Sequence, residues 1–297
     1  MKEITIFTPT FNRAYILGRA YDSLLQQTNK EFIWCIIDDG STDNTEDLVK
    51  KWLEEKKIEI QYIKQENGGK HVAHNAAVKK CKTNYMLILD SDDYLSEKTI
   101  EILLKDIENI KNKKNISGII GNKFDGRNGN VIGTNMPTDI DYASGIELYQ
   151  RYGFEGDTLR IYKTEILKQF LFPIIKGEKF IYENVVFEPI DSKYKMLINR
   201  EKLYYCEYLK DGYTSNSDKI KKENPYGYAL SLKSSAKYAI NFINKIKYNI
   251  LLIIWIRRYN LKKEMSVQDK GLFYFAVYPL ALIFEKLKIA KFFFNRS

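Results

Sequence analysis

The first hundred residues alternate between short apolar runs and longer stretches whose apolar residues recur at helical spacing. Ile4-Thr5-Ile6-Phe7-Thr8 is β-rich, and Pro9 is expected to stop it. Residues 14–27 follow as a helix, with Ile16, Leu17, Ala20, Leu24 and Leu25 near the helical period. Phe32 to Ile37 is a continuous apolar run that ends at Asp38-Asp39-Gly40-Ser41. Thr42 or Asp43 then caps a second helix over residues 44–55, with Leu48, Val49, Trp52 and Leu53 inward. Ile58 to Ile63 alternates as a third strand. A third helix is predicted over 70–82 after Gly68-Gly69, and Met86 to Leu89 is a fourth strand.

Strands alternating with helices of this length predict an α/β fold, a mostly parallel sheet flanked by helices. The continuous apolar strands agree, because a parallel strand is covered on both faces. Ligands of such sheets sit beyond the carboxyl ends of the strands. Three of those ends are polar here: Thr8 to Arg13, Asp38 to Ser41, and Asp90-Ser91-Asp92-Asp93. They are expected to share one crevice. No GxGxxG follows the first strand and no GxxxxGK[ST] occurs, which excludes the dinucleotide and P-loop versions of the fold.

The last of these ends carries the most chemistry. An apolar strand running into three carboxylates is costly unless their charge is compensated. A divalent cation with oxygen ligands is the usual compensation. Asp90 and Asp92, two apart in extended chain, share a face. The alternative is a solvated acidic turn in which Asp93 or Ser96 caps the next helix. His71 and His74 are three apart on the third predicted helix, but no third His or Cys stands near, so no metal site is expected there.

In order, Thr8-Pro9-Thr10-Phe11-Asn12-Arg13, Asp38 to Asp43, Asn67-Gly68-Gly69-Lys70 and Asp90-Ser91-Asp92-Asp93 resemble a family 2 glycosyltransferase over residues 3–100. Gly177 to Phe180, Glu183 and Cys206 to Gly212 resemble a bacterial surface-polysaccharide branch of that family. The resemblance implies a GT-A fold, a nucleotide-sugar donor, inverting transfer and a Mn²⁺ or Mg²⁺ ion. It implies a nucleotide site built from Thr8, Pro9, Thr10, Phe11 and Arg13. Asp39 would accept from the base, Lys70 would meet the base or diphosphate, Asp90 and Asp92 would bracket the ribose, and Ser91 would also belong to the nucleotide site. Asp92 and Asp90 would hold the metal, with Asp93 as a helix cap rather than a further ligand.

Inverting transfer needs a general base on the acceptor side. Residues 150–190 offer Glu155, Asp157, Glu178, Glu183 and Glu188. The family often has Glu-Asp before an aromatic here; this chain has Glu183-Asn184, and an amide cannot serve as the base. Glu183 is the expected base, with Asp157 as the alternative. Gly118 to Gly133, dense in turn formers, predicts a hairpin.

Composition adds two constraints. The 297 residues are 44% hydrophobic and 29% charged, as a folded chain should be. The three cysteines are far apart, without CxxC or CxxH, which argues against disulfides or zinc and for a reducing setting. The net charge of +9 is uneven. Residues 1–210 carry 31 Lys and Arg against 32 Asp and Glu, whereas residues 211–297 carry 16 against 6. The expected division is a catalytic domain over 1–215 (nucleotide half 1–100, acceptor half 101–215) and a basic, aromatic helical region over 216–297. Its apolar runs, 250–256 and 271–284, fall short of the ~20 residues that span a bilayer. Lys286, Lys288, Lys291 and Arg296 around Phe292-Phe293-Phe294 suit an anionic membrane surface. Packing on the catalytic domain, or on a second copy in a homo-oligomer, is the alternative.

The expected activity is therefore transfer from a UDP-linked sugar to a saccharide acceptor, lipid-linked, in bacterial envelope polysaccharide synthesis. The expected setting is cytoplasmic, on the inner face of the cell membrane, since strand-like sequence begins at once with no signal segment ahead of it. A sugar-phosphate nucleotidyltransferase would want a glycine-rich basic loop where Pro9-Thr10-Phe11-Asn12-Arg13 stands. A basic nucleic-acid-binding protein is the other alternative, but no binding motif supports it and no nucleic-acid partner is expected.

Overall fold

A computed structural model describes residues 2–209, 212, 215–261 and 267–287. Its first half follows the sequence pattern: β1 (Ile4–Thr10), α1 (Gly18–Leu25), β2 (Phe32–Asp38), α2 (Thr45–Glu55), β3 (Ile60–Lys64), α3 (Lys70–Lys80) and β4 (Tyr85–Ile88). Strands β3, β2, β1 and β4 lie side by side and parallel. Two boundaries differ from expectation. Pro9 does not stop β1 but pairs with Ile37 of β2. Its nitrogen faces the β4 side, where pairing has already ended opposite Phe7, so no ladder bond is lost. Residues 14–17 are not yet helix. The Arg13 carbonyl accepts from both Ile16 and Leu17 N–H in a tight turn, and α1 begins only at Gly18.

The second half adds β5 (Tyr94–Leu95), α4 (Thr99–Ile110), β6 (Ile116–Asn122), β7 (Phe124–Asp125), β8 (Tyr142–Ala143), α5 (Gly145–Gln150), β9 (Thr158–Lys163), α6 (Thr164–Leu167), α7 (Asn184–Asp191), β10 (Lys195–Asn199) and β11 (Tyr204–Cys206). Strand β9 enters between β4 and β6, antiparallel to both. The main sheet has eight strands in the order β3-β2-β1-β4-β9-β6-β10-β8, and β5-β11-β7 form a small second sheet. The hairpin expected over 118–133 is corrected. Residues 116–122 are an interior strand, buried along its whole length. Gly118 is needed there because a Cβ would lie 1.9 Å from the Ile161 carbonyl of β9. What remains of the hairpin is a turn over 125–130 closed by a Phe124–Val131 bridge.

Each face of the main sheet has its own core. On one face Tyr21 of α1, Trp34 of β2 and Trp52 of α2 stack, with ring centroids 4.2 Å (Tyr21–Trp52) and 5.6 Å (Trp34–Trp52) apart. On the other, Phe7, Met86, Tyr162 and Phe187 pack beneath α3 and α7. The C-terminal region forms α8 (Ser217–Glu223), α9 (Pro225–Lys237), α10 (Phe242–Arg258) and α11 (Val267–Lys286). A third cluster around Leu232, Ile254 and Trp255 holds α9, α10 and α11 together. It is tied to the preceding segment by Glu178, whose carboxylate accepts from Tyr226 N–H (3.0 Å) and Gly227 N–H (2.8 Å) at the start of α9. Among the described residues no helix is long and apolar enough to cross a membrane.

Candidate active site

The end of β4 carries a charge network. Asp90 meets Lys70 Nζ at 2.7 Å through Oδ1 and Lys123 Nζ at 3.5 Å through Oδ2. The Lys70 ammonium also reaches Glu183, at 3.0 Å. Lys123 continues to Asp93, at 3.1 Å, and sits 4.2 Å above the Tyr204 ring. The Tyr204 hydroxyl donates to Asp93 (2.7 Å) and accepts from Asp90 N–H (3.0 Å). Burial alone would raise the Asp90 carboxyl, but Lys70 and then Lys123 pull it well below the usual carboxylate range. Burial pushes Asp93 up to about 6, against the pull of Lys123.

Asp93 is thus not the helix cap expected of it. Its carboxylate is buried on Lys123 and Tyr204, and α4 begins six residues later, at Thr99. Neither partner was found from the sequence. They lie 30 and 111 residues from Asp93, and only the small sheet brings β11 beside β5.

The end of β2 is wired differently. Asp39 is buried, and its carboxylate accepts from Gln65 Nε2 (2.7 Å), Asn67 Nδ2 (3.2 Å), Gly68 N–H (3.0 Å) and Gly69 N–H (2.7 Å). The loop before α3 is thereby fixed, and Lys70 follows it directly. Asp39 and Asp90 are linked through that helix start, so the strand ends do converge. Asp38 is spent on structure, accepting from Ser41 N–H (2.7 Å) and the Tyr62 hydroxyl (2.5 Å). The loops after β1 and β2 are laced by Asn12, which adopts a positive φ of 54°. Its Oδ1 accepts from Thr42 N–H (2.8 Å), and its own N–H donates to Ser41 Oγ (2.9 Å).

The residues expected at the nucleotide divide. Thr8 turns inward, where its buried hydroxyl accepts from Trp34 Nε1 at 2.9 Å. Thr10 is buried too, with its hydroxyl unpartnered, and Ser91 is buried beside the carboxylates. Phe11 is exposed, and Arg13 donates to the Tyr15 hydroxyl.

The two base candidates are not equivalent. Glu183 is half-exposed at the head of α7. Burial would raise it, but Lys70 outweighs that and holds it below its ordinary value. Asp157 is exposed, accepts from the Tyr208 hydroxyl at 3.0 Å, and is not among the ion-pair partners of Lys70. Asn184 faces α9, donating to the Ser231 carbonyl and Ser235 Oγ (3.0 Å each). Both His71 and His74 are buried with no hydrogen-bond partner at either ring nitrogen, and among the described residues no three His, Cys, Asp or Glu gather as a metal cage.

The carboxylate of Asp92 would nevertheless suit a divalent ion. Asp92 has no ion pair among the described residues; burial first, then the Asp90 charge, raises its carboxyl. It is a carboxylate short of positive charge. Mg²⁺ and Mn²⁺ are commonly held by one or two carboxylates, with substrate phosphates completing the shell. A cavity of about 830 Å³ lies elsewhere, with Arg19, Gln26, Tyr94, Lys98 and Tyr205 among its lining, and none of the candidate residues touches it.

The family model for glycosyl transferase family 2 matches residues 5–171. The chondroitin synthase of Pasteurella multocida (strain Pm70) is 40% identical over 103 residues, 35% of this chain and 11% of that protein. The chain thus spans about a tenth of the length of that relative. Among solved structures, Staphylococcus aureus TarS 1-349 in complex with UDP-GlcNAc superposes with a TM-score of 0.60 at 17% identity, covering 90% of this chain and 77% of that one. The mannosyltransferase PcManGT of Pyrobaculum calidifontis, in complex with GDP-Man and Mn²⁺, gives 0.57 at 16% identity, covering 94% and 80%. These likenesses identify the fold as GT-A: a central sheet with helices on both faces, followed here by a helical C-terminal segment.

Proposed function

The chain belongs to glycosyl transferase family 2, and from that premise we propose that it is an inverting enzyme that moves a sugar from a UDP-linked donor to a saccharide acceptor. The observation that carries this reading is Lys70, whose ammonium bridges Asp90 and Glu183 at the mouth of the parallel strands. A donor diphosphate entering there meets the Lys70 ammonium on one side and a carboxylate base on the other. The Phe11 ring and the backbone of Pro9 and Thr10 line the base, and Arg13 lies beside them. Asp90 and Asp92 would hold a Mn²⁺ or Mg²⁺ ion, which would supply positive charge to the leaving diphosphate.

Glu183 is assigned as the base over Asp157, because it touches the network that ends β4. Its carboxylate takes the proton of the acceptor hydroxyl. The hydroxyl oxygen bonds to the anomeric carbon as the bond from that carbon to the diphosphate oxygen breaks on the opposite face. While Lys70 pairs with Glu183 the base is held weak. A diphosphate that draws Lys70 away raises its basicity, so donor binding prepares the base.

The test separates binding from chemistry. UDP with Mn²⁺ is expected to raise the melting temperature. Glu183→Gln should keep that shift while transfer falls by about a thousandfold. Retained turnover would move the role to Asp157, and no shift with any nucleoside diphosphate would remove the donor-site reading.

The partner of the C-terminal region is proposed to be an anionic membrane surface. Phe242, Ile243, Phe275, Ile283 and Leu287 stand exposed on α10 and just along and beyond α11, in the segment that carries the chain's excess positive charge. Two such segments repel one another, whereas anionic lipid attracts them. Sedimentation with phosphatidylglycerol vesicles but not phosphatidylcholine vesicles is expected; a stable dimer with no vesicle binding would reassign the face to a second copy.

A further inference from the structure

We propose that Tyr208, Tyr149 and Asp157 form a binding subsite for the acceptor saccharide on the rim of the crevice, a proposal that rests on the transferase reading above. Tyr208 is 51% exposed and Tyr149 is 41% exposed. Neither ring is loose. The Tyr208 hydroxyl donates to Asp157 Oδ2 at 3.0 Å, and the Tyr149 hydroxyl donates to the Gly156 carbonyl at 2.8 Å. Two exposed rings from distant parts of the chain are therefore anchored on consecutive residues.

The anchoring segment is itself rigid. Gly156 has a φ of 117°, and a Cβ there would lie 2.2 Å from the Ile132 carbonyl. A Cβ on Gly133 would lie 1.8 Å from the Glu155 carbonyl. Thr134 and Glu155 close the contact, Thr134 N–H donating to the Glu155 carbonyl (2.8 Å) and Glu155 N–H to Thr134 Oγ1 (2.9 Å). The segment also touches the charge network. Lys123 N–H donates to the Asp157 carbonyl at 3.3 Å, and the same lysine's ammonium holds Asp90 and Asp93.

The chemistry selects a saccharide. A pyranose has an apolar C–H face and a rim of hydroxyls. Aromatic rings take the first and a carboxylate accepts from the second. Asp157 keeps Oδ1 free of hydrogen bonds from the described residues. An anionic ligand fits poorly, because the nearby cations are turned inward, Lys123 on Asp90 and Asp93 and Arg160 on Asp191. Holding the acceptor by two fixed rings lowers the entropy cost of presenting its hydroxyl to Glu183.

The full chain, with UDP and Mn²⁺ present, is titrated by saturation-transfer NMR with methyl β-glucoside, methyl β-galactoside and methyl N-acetyl-β-glucosaminide. At least one is expected to bind in the millimolar range. Tyr208→Ala and Tyr149→Ala should each weaken it about tenfold, and Tyr208→Phe, which keeps the ring but loses the anchor, about threefold. The UDP-dependent melting shift should be the same in all three variants. Unchanged glycoside affinity in both alanine variants would overturn the subsite, as would failure of every glycoside to bind while the UDP shift persists. A parallel loss of UDP binding would place these residues on the donor side instead. Absence of the UDP shift in the unaltered protein would instead sink the donor reading itself.

Discussion

Asp39 and Asp90 end neighbouring parts of one parallel sheet, and both carboxylates are filled, but by different kinds of partner. Asp39 is held by four neutral donors, two of them backbone N–H groups of the loop it pins. Asp90 is held by two lysine ammoniums, the more deeply buried Lys123 and the more open Lys70, which sits on a flexible stem. A backbone donor cannot leave without moving the chain. A lysine can swing to a phosphate oxygen and trade one anion for another. The first wiring builds a loop and the second leaves an exchangeable site. Position at a strand end is common to both; the donors tell them apart.

The sharpest way to break that distinction is to remove each carboxylate in turn. Asp90→Ala should cut transfer by about a thousandfold, several kcal/mol of lost charge stabilisation. Its folding stability should change by less than about 1 kcal/mol, because Lys70 keeps Glu183 and Lys123 keeps Asp93. Asp39→Ala should do the reverse. It strands four donors and should cost about 3 kcal/mol in urea unfolding, with nucleotide binding lost only as the loop loosens. Equal stability losses in both variants would erase the distinction.

Lys123→Met probes the same contrast from the cation side. One buried ammonium serves Asp90 and Asp93, and Asp93 has no second cation among the described residues. Leaving a buried carboxylate without its ion pair should destabilise the fold by about 3 kcal/mol at neutral pH. The added variant Lys123→Met with Asp93→Asn should recover much of that loss, as an amide needs no counter-charge. If the double change recovers nothing, Lys123 acts by packing on Tyr204 rather than by charge.

Much of this was legible in the chain itself, and what escaped has a physical reason. Alternating apolar runs locate β1 to β4 because that signal is local. The alternation also puts Thr8 on the face of Ile4 and Ile6, where its hydroxyl meets Trp34, although the family resemblance placed it at the nucleotide. The insertion of β9 between β4 and β6 is different, since strand order depends on contacts between distant segments. Lys123 and Tyr204 escaped for the same cause. A lone lysine in a turn-rich stretch looks like a solvated charge until the small sheet seats it over Tyr204. The assignment of Asp93 as a cap failed because a cap must reach the first N–H groups of its helix, whereas α4 starts only at Thr99 and this carboxylate is held by Lys123 and Tyr204.

The smallest effect concerns the helix beneath both carboxylates. The α3 helix starts at the loop that Asp39 pins and carries Lys70, and on its inner face His74 lies among Phe7, Phe172 and Phe187, at 5.8, 5.1 and 6.5 Å between ring centroids. Neither ring nitrogen has a hydrogen-bond partner, and the adjacent Asn75 amide bonds the Phe172 backbone at 2.8 and 2.9 Å. Burial lowers His74 to about 4, below the ~6.5 of an unfolded histidine. The unfolded chain then binds the proton first as the pH falls. Stability is lost through the interval from about 6.5 down to about 4, at roughly 1.4 kcal/mol per pH unit. Asp93, raised to about 6, works the other way in part of the same interval, so the total slope mixes the two. His74→Leu isolates the histidine with little change in volume. At pH 7.5 it should match or exceed the unaltered protein, since it removes two unsatisfied nitrogens. By pH 5.5 its advantage in urea unfolding should have grown by about 1.4 kcal/mol. An advantage that stays constant with pH would assign the acid sensitivity to the carboxylates above the helix and leave His74 as inert packing.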